Sequence, residues 1–132
     1  MAICLSTAAA TVAVAVQAFT LGWTHSIEKV RWEEDWRVDR QAGGGQLVLE
    51  AVRVRGHGAG MEPPADAVLR DGVWQWHPRS VHAELRLTRS EHTADYDWCV
   101  AGEACLPLSA ILPSDGGVTL VRPCRQESDG ER

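Results

Sequence analysis

The chain has 132 residues and is 45% hydrophobic, enough for one domain with its own core and too apolar for wholesale disorder. Eighteen acidic residues against 13 basic ones give a formal net charge of −5, with Lys29 the sole lysine, so the clustered positive charge that a nucleic acid requires is absent. Twelve glycines, six prolines and frequent Val and Thr, with no long run at helical spacing, point to an all-β fold.

Residues 1–24 carry no charged side chain. Residues 8–16 offer the apolar core of a signal peptide and Val16-Gln17-Ala18 a small-residue cleavage site, but no Lys or Arg precedes the run. A membrane helix is opposed by Ser6, Thr7, Thr11, Gln17 and Thr20, which interrupt a segment rich in alanine rather than leucine. Val12, Val14 and Val16 alternate with alanine at the period of a strand. Residues 2–6 and 11–16 are therefore expected to form the first two strands, with Met1 belonging to the domain. Phe19, Leu21 and Trp23 resume the alternation in the opposite phase, which implies a bulge or tight turn at Gln17-Ala18.

Residues 19–38, FTLGWTHSIEKVRWEEDWRV, hold three of the six tryptophans and read as a central hairpin. Apolar alternation stops over residues 24–29. Then Val30, Trp32, Glu34, Trp36 and Val38 fall on one face, and Arg31, Glu33, Asp35, Arg37 and Asp39 on the other. The alternating signs of the second set predict cross-strand ion pairs on a solvated face. Glu34 lies on the apolar face, where a carboxylate must be paired, hydrogen-bonded or partly neutral. His25, Lys29 or an arginine are the partners in reach; the alternative is a strand twist that carries Glu34 to the rim.

Residues 47–55 form the next strand, with Val48, Val52 and Val54 on the same side as Glu50. The segment GHGAG and Met61 follow. Its glycines serve a structural turn or the close approach of a ligand or strand, and it lacks the spacing of a dinucleotide or P-loop fingerprint. Residues 73–77 are a strand ended by Pro78. Residues 83–88 and 96–100 read as a strand pair joined by a polar loop. Residues 106–112 are the one short helix the pattern allows, between Pro107 and Pro113. Residues 118–121 are the last strand. Cys99 and Cys105 bracket a turn at Gly102, a spacing that permits a disulfide. Reduced, partly buried thiols are nevertheless the first expectation and the Cys99–Cys105 bridge the second, and the spacing is not that of a structural zinc site.

The expected architecture is a single-domain antiparallel β-sandwich or partly open barrel over residues 1–124, with at most one short helix and a flexible charged tail at 125–132. Thr24-His25-Ser26 with Glu28, the carboxylate of Glu34, the Gly58-Ala59-Gly60-Met61 segment and the VWQW strand resemble the bacterial family catalogued as domain of unknown function 1850, over residues 3–124. Members are commonly encoded beside the membrane and solute-binding components of TAXI-type tripartite transporters. The resemblance therefore implies an accessory role in solute uptake, with such a component as partner. Members commonly carry a leader ahead of the first strand; none is visible ahead of Ala2. The expected location is thus cytoplasmic or peripheral to the inner membrane, or periplasmic if residues 1–18 act as a signal.

The candidate binding surface comprises His25, Ser26, Glu28 and Glu34, with His57, Gly58, Gly60 and Met61 of the glycine loop beside them. His25 and Ser26 are adjacent and point to opposite sides of an extended chain, so they do not form a nucleophile and base. No G-x-S-x-G surrounds Ser26. One histidine and two carboxylates are a thin donor set for a metal. No catalytic residue, metal or cofactor is assigned. The expected function is a non-enzymatic binding or accessory module. A structural or assembly subunit is the alternative, followed by a small metal-dependent or hydrolytic enzyme using His25 and Glu34.

Overall fold

Alternation of apolar and polar side chains along nearly every segment produces strands with one buried face, and two such faces are pressed together. The structure, a computed structural model, describes residues 1–24, 29–40, 45–55 and 62–125. Four strands, β1 (Ala2–Ser6), β2 (Thr11–Val14), β9 (Leu85–Thr88) and β12 (Val118–Cys124), form the smaller sheet in the order β2-β1-β12-β9. The larger sheet comprises β3 (Ala18–Thr24), β4 (Arg31–Asp39), β5 (Gln46–Arg55), β6 (Val68–Arg70), β7 (Val73–Trp76), β8 (Ser80–His82), β10 (Asp97–Cys99) and β11 (Leu106–Pro107). Its order is β11-β10-β3-β4-β5-β7-β6, and β8 pairs the other half of β5. All pairings are antiparallel and the two sheets do not close on one another, so the fold is an all-β sandwich rather than a barrel.

The first and last strands close the smaller sheet together. Ala2 pairs Cys124 and Ser6 pairs Leu120, while Ile3 and Leu5 are fully buried in the main core. Cleavage after Ala18 would remove both β1 and β2, and with them this part of the core. Cys4 and Cys124 form a disulfide between these strands. Pro123 is tolerated in β12 because pairing with β9 ends at Val121, which leaves no ladder bond for its missing N–H.

Three expectations are corrected. Residues 83–88 and 96–100 do not pair: β9 joins β12 in the smaller sheet and β10 joins β3 in the larger one, so the polar loop between them carries the chain across the sandwich. The segment 106–112 is not an α-helix. Pro107 is extended and pairs Asp97 in β11, and only a single 3₁₀ turn, Leu108–Ala110, follows before Pro113, held by Leu108 in the core. Finally, the β4–β5 register shifts between Asp35 and Trp36: Asp35 pairs Ala51 whereas Trp36 pairs Leu49. Glu50 is the extra residue of a β-bulge, so Leu47 and Leu49, not Val48 and Glu50, share the inner face with Val52 and Val54. The short strands β6 and β8 escaped the sequence reading altogether.

Two apolar clusters result. The main one joins Ile3, Leu5, Leu85, Leu87 and Val121 of the smaller sheet to Phe19, Leu21, Trp36, Leu47 and Trp98 of the larger. The second is built from Val30, Val52 and Val54, with Trp32, Leu49 and Trp76 packed against them, and contains no residue of the smaller sheet.

Candidate functional site

Register across the larger sheet places the side chains of its inner face in rows. One row runs Trp98, Leu21, Glu34, Val52, Trp76 and the next Trp23, Trp32, Val54, Trp74, Leu69. The central hairpin is therefore β3 against β4, as the alternation predicts, and Glu34 does point inward with the tryptophans. Trp23 stacks on Trp32 at 6.1 Å between centroids and meets the Tyr96 ring edge-on at 5.7 Å. Phe19 stacks on Trp98 at 4.4 Å at the opposite, fully covered end.

Glu34 is satisfied by its own strand. Trp36 Nε1–H donates to Glu34 Oε1 at 3.1 Å, two residues along the same face. Among the described residues no ion pair reaches Glu34, so Lys29 and the arginines are not its partners. Burial pushes its carboxyl above the ordinary value, and the indole bond offsets this only in part. Its charge in turn helps burial raise the Tyr96 phenol. On the far side of Trp36 the ring of His82 packs edge-on at 5.3 Å, and His82 Nε2 lies 2.9 Å from Ser80 Oγ. This Ser-x-His pair on β8 was not singled out from the sequence. Its signal, two polar residues at strand spacing, is shared by many solvated strands.

The outer face of the same sheet carries the predicted ion pairs; those of Arg31 and Arg53 are joined through Glu33, and that of Arg37 is separate among the described residues. Arg53 Nη1 and Nη2 bind both oxygens of Asp35 at 2.8 and 2.7 Å and its Nε binds Glu33 at 3.1 Å. Thr20 Oγ1–H donates to Asp35 Oδ1 at 2.7 Å. The Arg53 bonds outweigh burial and hold the Asp35 carboxyl below its usual range, while Asp35 holds the guanidinium above its own. Arg31 reaches Asp97 at 2.9 Å by lying across Gly22, where a Cβ would stand 2.2 Å from its Nη2. Arg37 pairs the bulged Glu50, whose carbonyl accepts from His77 Nδ1–H at 3.0 Å.

A second polar feature lies inside the sandwich. Arg89, its side chain 1% exposed, follows β9 at the start of the loop that crosses to the larger sheet, and ties the end of that loop to β12. Its Nε and Nη2 bind the two oxygens of Asp95 at 3.1 and 2.9 Å, and its Nη1 donates to Thr119 Oγ1 at 3.1 Å. Burial alone would raise the Asp95 carboxyl. The bonds from Arg89 and from the backbone N–H groups of Tyr96 and Ser109 overcome that and hold it low. Beside the pair is a cavity of about 180 Å³ walled by Trp23 and Tyr96 and edged by Ser90 and Thr93. Sequence reading placed Arg89 and Asp95 in a solvated loop because nothing in a single chain announces that they meet.

His25, Ser26, Glu28, His57, Gly58, Gly60 and Met61 lie outside the described residues. The residues that flank them are described: Thr24, Arg31 and Arg55 occupy one register row, at one end of the sheet. Cys99 and Cys105 are joined in a disulfide across the β10–β11 turn. Among the described residues no group of three or more His, Cys, Asp or Glu is placed to hold a metal, and no helix is long and apolar enough to cross a membrane.

Fold and site together define a class, a disulfide-bonded β-sandwich whose larger sheet exceeds the smaller and carries an aromatic inner face with the half-buried carboxylate of Glu34 among its tryptophans. The family model described as Domain of unknown function (DUF1850) matches residues 19–108, and the chain belongs to that family. The match runs from β3 to the 3₁₀ turn and stops short of β1, β2 and β12, a narrower span than the expected 3–124. No curated protein and no solved structure matches the chain.

Proposed function

We propose that the chain is a non-enzymatic binding module serving as an accessory of a TAXI-type tripartite solute transporter. The observation that carries the binding role is the row Trp23, Trp32, Val54, Trp74, Leu69 on the inner face of the larger sheet, in a region where the second cluster has no partner from the smaller sheet. Partly exposed tryptophans presented by a rigid sheet supply contact area at small entropic cost. Glu34, tied to the indole of Trp36 and surrounded by hydrocarbon, serves to orient that face rather than to transfer protons. The transporter association rests on what family membership implies.

The disulfides Cys4–Cys124 and Cys99–Cys105 support an oxidising compartment, and we place the domain on the periplasmic side of the inner membrane. This placement does not invoke removal of residues 1–18, which supply β1 and β2. Affinity capture of the oxidised full chain is expected to recover the membrane or solute-binding component of the transporter, and a Leu69→Asp variant to recover less. Recovery of neither component would count against the reading. A structural or assembly role is favoured by one feature, the edge strand β6, where Val68 and Leu69 are 53% and 49% exposed. That reading requires a stable oligomer in sedimentation, and a monomer at high concentration would exclude it.

A further inference from the structure

The two disulfides occupy opposite settings. Cys4 is buried in β1, and its bond to Cys124 ties the first strand of the fold to the last. Cys105 is exposed beside the edge strand β11, Cys99 is half-buried in β10, and the two are only 6 residues apart. Access governs which disulfide a thiol can reach, and a bond that closes a short loop opens with little loss of structure. The β10–β11 pair has other ties: Asp97 pairs Pro107, Trp98 pairs Leu106, and Leu108, its side chain fully buried, donates its N–H to the Tyr96 carbonyl at 2.8 Å.

Topology then decides which sulfur is attacked. Trp98 faces the core, so Cys99, next along β10, faces outward in the row Cys99, Thr20, Asp35. The order β11-β10-β3 puts Cys105 on one side of Cys99 and Thr20 on the other. A thiolate attacks sulfur in line with the bond it breaks, so a nucleophile aimed at Cys99 comes from the β3 side. That side is open. A cleft of about 720 Å³ on the outer face, lined by Val16, Ala18, Thr20, Arg37 and Ala101, has Cys99 in its wall and Cys105 outside it. Attack on Cys105 from solvent would instead expel Cys99 as a half-buried thiolate facing the Thr20–Asp35 pair, a poorer leaving group than a hydrated Cys105 thiolate.

We propose that Cys99–Cys105 is a thiol–disulfide exchange site, at which a low-molecular-weight thiol enters the outer-face cleft, bonds to Cys99 and releases Cys105. The incoming thiol gives its proton to solvent and its sulfur bonds to Cys99 Sγ. The Cys99–Cys105 bond breaks, and its electron pair leaves with Cys105 Sγ as a thiolate. The attacking sulfur is thereby oxidised and the Cys105 sulfur reduced. Cys105, kept beside Cys99 by the β10–β11 pairing, can return to expel the thiol and restore the bond. Exchange at this face requires neither the tryptophan row nor a transporter component.

The test uses the oxidised full chain, incubated with excess reduced glutathione at neutral pH, quenched in acid at early times and digested with pepsin for mass spectrometry. Glutathione is expected on Cys99, with Cys105 a free thiol and Cys4–Cys124 intact. As much adduct on Cys105 as on Cys99 overturns the route through the cleft. No adduct at the pair, or opening of Cys4–Cys124 at the same rate, overturns the exchange site. Ala18→Phe and Ala101→Phe, which place bulk in the cleft, are each expected to slow formation of the Cys99 adduct by about tenfold, and an unchanged rate in both also overturns the route. Circular dichroism like that of the wild type shows that a slower rate is not a lost fold.

Discussion

Removing either partner of the Arg89–Asp95 pair leaves the other in a different predicament, and the two substitutions should differ accordingly. In Asp95→Ala the guanidinium, 1% exposed, loses its counterion and two of its three hydrogen bonds. An uncompensated buried charge of that kind costs about 3–5 kcal/mol. In Arg89→Met the remaining carboxylate is 22% exposed and keeps the N–H groups of Tyr96 and Ser109, so the loss is closer to ~1–3 kcal/mol. Thr119→Val removes one neutral acceptor and should cost about 1 kcal/mol. The double variant Arg89→Met/Asp95→Leu should cost less than Asp95→Ala alone, since it leaves no orphaned charge. Urea unfolding of the oxidised protein at neutral pH measures all four. Because the folded Asp95 carboxyl is held low, its contribution is complete above the unfolded value near ~4 and is lost as pH falls through the folded value. The gap between wild type and Asp95→Asn should therefore close in acid. Equal costs for Asp95→Ala and Arg89→Met, or costs below about 1 kcal/mol for both, would refute a buried, carboxylate-compensated guanidinium.

Three other expectations follow from the same geometry. Burial holds the folded Glu34 carboxyl high, so it favours folding at low pH and loses that contribution as pH rises through its raised folded value. Glu34→Gln, which keeps an acceptor for Trp36, should melt higher than wild type at pH 7 with the difference vanishing below about pH 4; a variant that melts lower at every pH contradicts this. Cys4 and Cys124 are 120 residues apart and Cys99 and Cys105 only 6, so alanine pairs should cost about 4–5 and about 2 kcal/mol in urea unfolding, and equal costs would speak against a chain-entropy origin. Deleting Glu50 removes the bulge yet keeps Leu49 opposite Trp36 and Ala51 opposite Asp35, so the inner face of β5 is preserved. The chain should still fold by circular dichroism, at a cost of about 1–2 kcal/mol for the lost Arg37 pair and backbone bond to His77, and loss of the strand signal would contradict this, whereas Glu50→Ala should cost below about 1 kcal/mol.

What was legible in the sequence was what alternation governs. The run from Val30 to Val38 announced its own two faces, and the structure keeps both: tryptophans and Glu34 inward, a charge network outward. The strand at 2–6 was legible instead as a short continuous apolar run, and it is buried on both faces. Pairing was not. Nothing local distinguishes a loop that returns to its neighbour from one that crosses to the opposite sheet, so residues 83–88 and 96–100 were joined when they belong to different layers. The bulge at Glu50 hid as well, because Val48, Glu50, Val52 and Val54 keep a regular spacing that the folded strand interrupts. Arg89 shows the limit most clearly. A guanidinium in a stretch of Ser, Glu, His and Thr reads as solvated, and only the tertiary approach of Asp95 and Thr119 makes its burial affordable.

The bulge also explains why a carboxylate stands at Glu34. By resetting the phase of β5 it lets Leu47 serve the main core and Val52 and Val54 the second cluster from one face, with Leu49 packed against both. Glu34 pairs Val52, just past the irregularity, and its hydrogen bond comes from Trp36, which belongs to the main core. The carboxylate therefore sits on the seam between the two clusters. A leucine there would merge them into one continuous apolar face running from covered core to the tryptophan row. A polar group whose bond points back into the core instead fixes the Trp36 ring, and with it the edge contact to His82. Beyond Glu34 the main core is continued only at the β3 side, by Trp23, while Trp32 and Trp76 pack against the second cluster.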